Sequence, residues 1–161
     1  MKVISSQEMA RIEKLSFQHT ERDKDKFFME RAGRGVFSFI QQKIKGKKPN
    51  TPILLLCGKG NNAGDTYVTG RYFLQAGYEV WAWQIPSIRE VSPLCKKNHD
   101  LFRAHQGRVF YYQDDGINEL FFQDDQIVID GLFGTGFSGK IIEPYLSVMQ
   151  KLNQSSSLVF S

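Results

Sequence analysis

Ile53-Leu54-Leu55-Leu56-Cys57-Gly58-Lys59-Gly60-Asn61-Asn62-Ala63-Gly64-Asp65 is the stretch on which the fold turns. Five consecutive apolar residues behind Thr51-Pro52 suit a strand buried on both faces. The glycine- and asparagine-rich run after them ends the strand. It leads into a helical pattern over residues 66–76, where Val68, Tyr72 and Leu74 are available for packing and Gly77 supplies a stop.

Working outward, strands are expected over residues 79–85, 108–112, 126–129 and 157–161, with helices over 94–105, 117–122 and 143–152 between them. Upstream, a capped amphipathic helix is read over residues 6–17 and a polar break over 18–26. A second helix follows over 27–44, with Met29, Ala32, Gly33, Val36, Phe37 and Ile40 on one face. Ala32 and Gly33 would allow it a close approach to a neighbour. Strands alternating with helices at this spacing imply an α/β fold with a doubly wound, mostly parallel sheet. Ligands of such sheets bind outside the carboxyl ends of the strands, so the loops after Cys57 and Ile129 are where a site is expected.

A length of 161 residues with 41% hydrophobic and 24% charged residues suits one domain, residues 1–161. Of the net charge of +4, much lies in Lys43-Ile44-Lys45-Gly46-Lys47-Lys48, which lacks interleaved aromatics and reads as a solvated linker, so no nucleic-acid partner is expected. Two cysteines make no disulfide framework. The N-terminus has no apolar signal region and the longest clean apolar run is too short for a bilayer. A cytoplasmic, reducing location without membrane attachment is therefore expected.

Glycine and asparagine tolerate positive φ, so the backbone amides of Gly58 to Asp65 are expected to turn inward as a phosphate cradle at a helix N-terminus. Asp65 is placed in that helix's first turn, as a cap or a ligand-facing acid. The paired amides Asn61 and Asn62 offer oxygens for a cation or a sugar hydroxyl. The spacing of Gly58, Gly60 and Gly64 departs from the dinucleotide fingerprint, with no acid near Gln84, and no Gly-Lys-Ser/Thr makes a P-loop. At the second crevice loop, Asp130 stands where a strand meets the crevice, and partial desolvation would raise its pKa and suit it to proton transfer. Gly134, Thr135, Gly136, Phe137, Ser138, Gly139 and Lys140 follow as another anion-compatible loop. His19, His99 and His105 do not share a metal-binding face, and neither cysteine has an activating base nearby, so surface or packing roles are expected of them. Trp81 and Trp83, alternating along a strand, read as packing.

Met29-Glu30-Arg31-Ala32-Gly33, Gly60-Asn61-Asn62-Ala63-Gly64-Asp65 and Asp130-Gly131-Leu132-Phe133-Gly134-Thr135-Gly136 occur in an order and spacing that resembles the YjeF N-terminal domain family, the NAD(P)H-hydrate epimerases. The resemblance implies a Rossmann-like three-layer α/β/α sandwich. It also implies epimerisation at the hydroxylated C6 of the nicotinamide ring in hydrated NADH or NADPH. By the family's pattern, residues Asn61, Asn62, Ala63, Gly64, Asp65 and Gly134 through Lys140 take the substrate, a potassium ion sits at Asn62 and Asp130, and Asp130 manages the proton. In three places the chain departs from that pattern. Ala63 stands where a glycine is usual, and Pro86-Ser87 stand where a lysine often follows the second strand. The chain ends at Ser161, ahead of the family's Asp-Ile-Pro-Ser-Gly segment and fused dehydratase domain, so a shortened domain is expected. A homodimer and a non-catalytic nucleotide- or protein-binding module of the same fold both stay open at this stage.

Overall fold

The structure, a computed structural model, describes residues 24–47, 51–112, 122 and 125–161. The helix expected over 6–17, nearly all of that over 117–122, and His19 lie outside these. In chain order the elements are α1 (Lys24–Lys43), β1 (Ile53–Cys57), α2 (Asn61–Gln75), β2 (Val80–Gln84), α3 (Pro93–Ala104), β3 (Arg108–Tyr111), β4 (Ile127–Gly131), α4 (Tyr145–Gln154) and β5 (Leu158–Phe160). The five strands form one sheet in the order β3-β2-β1-β4-β5, every pair parallel. β1 is buried at all five positions, as its unbroken apolar run requires. Because the order reverses between β1 and β4, the loops leaving these two strands diverge to opposite faces and open the crevice.

Alternation along the strands divides the core. Ile53, Leu55, Cys57, Ala82, Ile127 and Ile129 face one layer, with Ile40 of α1, Tyr67 and Phe73 of α2 and Phe102 of α3. Leu54, Leu56, Trp83 and Val128 face the other, with Val148 and Leu152 of α4. Three layers result, α1, α2 and α3 over one face and α4 over the other. Trp83 is buried against Phe110 and Trp81 is half-buried beside it, both on the second face.

Within the first layer α1 lies close along α2, since a Cβ on Gly33 would meet Val68 Cβ at 2.5 Å. Glu30 clamps the two helices by accepting hydrogen bonds from Arg71 and from Tyr72 Oη. Ala32, expected on the same face, is exposed, as is Val36 at 39%. Helix α1 also begins at Lys24, inside the stretch expected to be a polar break.

Candidate functional site

The first correction concerns the glycine and asparagine run. Helix α2 starts at Asn61, five residues earlier than the sequence suggests, with Gly60 as its N-cap at φ −98°. Asn61, Asn62, Ala63 and Gly64 therefore form its first turn, and Asp65 lies beyond it. No left-handed nest is present at Gly58, Gly60 or Gly64; among the described glycines only Gly46, Gly77 and Gly139 have positive φ. Gly58 and Gly64 are needed for space instead. A Cβ on Gly58 would lie 2.0 Å from the Leu132 carbonyl oxygen, and one on Gly64 would lie 2.6 Å from Met29 Sδ. Ala63 is helical and fully buried in the core, so the alanine fits where positive φ would have excluded it. What an anion meets here is the amide end of a helix with no acidic residue in its first turn and no side-chain cap.

The second correction is that β4 runs two residues past Ile129, to Gly131. Asp130 pairs in register with Leu56 and Gly131 with Cys57, and Gly58 N–H donates to the Gly131 carbonyl at 3.2 Å. Asp130 is half-buried at the end of the strand, and one of its oxygens accepts the Leu132 N–H at 2.9 Å.

Asn62 ties the two loops together. Its Nδ2 donates to the Phe133 carbonyl at 2.7 Å, and a Cβ on Gly134 would stand 3.4 Å from Asn62 Cβ. Only the amide NH2 can donate to a carbonyl, so the bond fixes the rotamer and leaves Oδ1 to other partners. Asn62, Asp65 and Asp130 border one cavity of about 360 Å³. Thr66 and Thr69 of α2, Val36 and Phe39 of α1, and Phe160 at the end of β5 are among the residues of its wall. None of these is a site residue by sequence alone, and Val36 is expected there on the packing face of its helix. The usable signal is Phe39, an apolar residue of α1 outside the face expected to pack.

Other candidates lie elsewhere. Asn61 is exposed at the helix end, where its Oδ1 accepts from Ser92 Oγ at 3.3 Å. Ala63 and Gly64 turn into the core and present only main chain to a ligand. Gly134, Thr135, Gly136, Phe137, Ser138, Gly139 and Lys140 are exposed and outside the cavity wall. Their loop is anchored by Phe133, whose ring packs on Phe137 and Tyr145 at centroid distances of 4.3 and 4.9 Å. Burial, and then the Glu90 carboxylate, holds the Tyr145 phenol above its ordinary value, so it stays neutral.

The oxygen donors of Asn62 and Asp130 are hard and suit an alkali or alkaline-earth cation better than a thiophilic metal. Among the described residues no three His, Cys, Asp or Glu side chains gather as metal ligands. No described helix is long and apolar enough to cross a membrane. His99 is buried in packing, and Cys57 and Cys95 are free thiols in the core.

Residues 25–161 match the family model described as YjeF-related protein N-terminus. The chain is 31% identical over 160 residues to the NAD(P)H-hydrate epimerase of Elusimicrobium minutum, covering 98% of this chain and 72% of that protein. The NAD(P)H-hydrate epimerase of Schizosaccharomyces pombe is 29% identical, with 83% of this chain and 54% of that one covered. The bifunctional NAD(P)H-hydrate repair enzyme Nnr of Moorella thermoacetica is also 29% identical, and there the chain spans 24% of its length. In fold, the chain superposes on the crystal structure of yeast ynu0, YNL200c, with a TM-score of 0.79 at 23% identity, over 99% of this chain and 69% of that one. The family match takes in every described element from α1 to β5, and this chain belongs to the family of YjeF-related protein N-termini.

Proposed function

We propose that this chain carries NAD(P)H-hydrate epimerase activity, interconverting the R and S forms of C6-hydroxylated NADH and NADPH in a reducing, cytoplasmic setting. The carrying observation is the Asn62 tether to Phe133, which brings the amide end of α2 and the Asp130 carboxylate to one cavity at the switch point of the sheet. The names of the relatives point the same way. In this reading the helix amides, with the loop from Gly134 to Lys140, hold the substrate's phosphates, and the apolar wall of Val36, Phe39 and Phe160 shields the ring. Loss of the C6 hydroxyl as water, on a proton given by Asp130, leaves an iminium-like cation on the ring nitrogen. Return of water to the opposite face, with release of one proton, gives the other epimer. Asp130 moves that proton and, ionised, stabilises the cation.

Asn62 Oδ1 and an Asp130 carboxylate oxygen would hold a potassium ion. When bound, it would supply a fixed positive charge beside the phosphates. The test mixes purified chain with R-enriched hydrated NADPH and follows R/S equilibration by chromatography, in potassium and in lithium salts. Acceleration over the spontaneous rate is expected, with Asp130→Asn losing about 10²-fold or more while keeping its Leu132 hydrogen bond. No acceleration by folded protein in potassium would overturn the epimerase reading. An Asp130→Asn variant of full activity would remove Asp130 from the chemistry, and equal rates in both salts would remove the potassium ion.

A further inference from the structure

We propose that Gln84 is a positioning residue for this reaction, acting through the Gly58 peptide without touching substrate; the inference rests on the epimerase reading above. Gln84 is the last residue of β2, paired with Cys57, and is fully buried in an otherwise apolar strand. Both ends of its amide are used. Oε1 accepts from Tyr67 Oη of α2 at 2.8 Å, and Nε2 donates to the Gly58 carbonyl at 3.0 Å, with the Cys57 carbonyl further off at 3.4 Å. The Cys57 carbonyl already receives the Ile85 N–H. The Gly58 carbonyl, buried just past the end of the ladder, has Gln84 as its partner.

Gly58 is where the two crevice loops meet. Gly58 N–H holds the Gly131 carbonyl, its Cα abuts Leu132, and its carbonyl points to Gln84; three residues on, α2 begins and Asn62 reaches across to Phe133. The bond from Gln84 holds the Gly58–Lys59 peptide, and with it ψ of Gly58 and the entry into α2, while the preceding Cys57–Gly58 peptide is tied through its N–H to the Gly131 carbonyl, next to Asp130. A methionine or leucine at position 84 would fill the same space without orienting anything. Errors of about 1 Å in placing reacting groups cost on the order of 10²-fold in rate.

The test compares Gln84→Met, Gln84→Glu and Tyr67→Phe in the full chain. Gln84→Met should lose roughly 10- to 100-fold in kcat with KM changed less than about threefold. A protonated carboxyl can donate to Gly58 and accept from Tyr67 as the amide does, whereas a carboxylate faces the carbonyl with a like dipole. Gln84→Glu should therefore outperform Gln84→Met, and increasingly so as the pH is lowered. Tyr67→Phe, which leaves the Gly58 bond in place, should lose less than Gln84→Met. Full kcat in Gln84→Met, or Gln84→Glu no better than Gln84→Met at any pH, would overturn the proposal. Amide exchange supplies a readout independent of catalysis and of whether Gln84→Met accumulates as folded protein. The N–H groups of Gly58, bound to the Gly131 carbonyl, and of Gly64, bound to the Gly60 carbonyl, should exchange about tenfold faster in Gln84→Met or, failing that, in Gln84→Glu at alkaline pH, while Leu54 to Leu56 keep their protection. Unchanged exchange at Gly58 and Gly64 would sink the positioning role even if the wild-type chain proved not to be an epimerase.

Discussion

At the level of single residues, Gly58 and Gly60 look interchangeable in the sequence and have opposite roles in the structure. A Cβ on Gly58 would run into the Leu132 carbonyl, part of the main chain that closes the crevice, while one on Gly60 would meet nothing within 4 Å. Gly58→Ala must therefore separate β1 from the start of the second loop. A cost of about 1–3 kcal/mol in urea denaturation is expected, together with most of the epimerisation rate. Gly60→Ala, at an N-cap with φ −98°, should change stability by less than about 1 kcal/mol and leave activity nearly intact. Equal effects of the two substitutions would refute the view that space, and not backbone freedom, explains the glycine at 58. Asn62 makes the same point with a side chain: its value lies in a bond to Phe133, seventy-one residues away.

Elements show where local sequence stops informing. β1 is legible because five apolar residues in a row have few other uses, and the expectation of a candidate site after Cys57 and Ile129 follows from strand and helix alternation. The start of α2 is not. Asn, Gly and Asp are poor helix formers, and what recruits Asn61 to Gly64 into the helix is long-range: the Asn62 tether and the packing of Gly64 on Met29. The cavity wall from α1 stayed hidden for a related reason, since a helical apolar stripe cannot tell a core face from a ligand face. On α3, facing β3, a histidine expected only to pack is held by two hydrogen bonds. His99 is buried; its Nδ1 lies 2.8 Å from Asp100 Oδ1 and its Nε2 2.9 Å from Tyr111 Oη, a pattern the neutral ring satisfies by donating to the carboxylate and accepting from the phenol. Burial lowers its pKa against the raising effect of Asp100. The unfolded chain then binds more protons in the window between the folded value and about 6.5. Stability from this site is complete above that window and is lost as pH falls through it. Urea midpoints measured from neutral to mildly acidic pH should decline, and His99→Gln should flatten the decline; an unaltered slope would exclude His99 as its source.

Over the whole molecule, the crevice and the core are continuous, because β1 carries both. Its last residue, Cys57, is fully buried on the helical layer, beside the buried Cys95 of α3, and the next residue is the Gly58 that joins the loops. Burial pushes the Cys57 thiol well above its usual range and Cys95 to about 12, so neither presents thiolate at neutral pH. Both should resist a thiol reagent in buffer and react promptly in guanidinium, with native labelling limited by openings that expose the central strand. Rapid labelling of either in buffer would contradict the packing described. Because substrate contacts on this reading come from both faces of the switch point, the open state cannot bind it. An equilibrated mixture of hydrated NADPH epimers at 100 times its Kd should then slow labelling by about 100-fold, equivalent to about 2.7 kcal/mol. Labelling of Cys57 that ignored a demonstrably bound ligand would mean that the strand opens without the crevice, and the two would have to be treated as separate cooperative units.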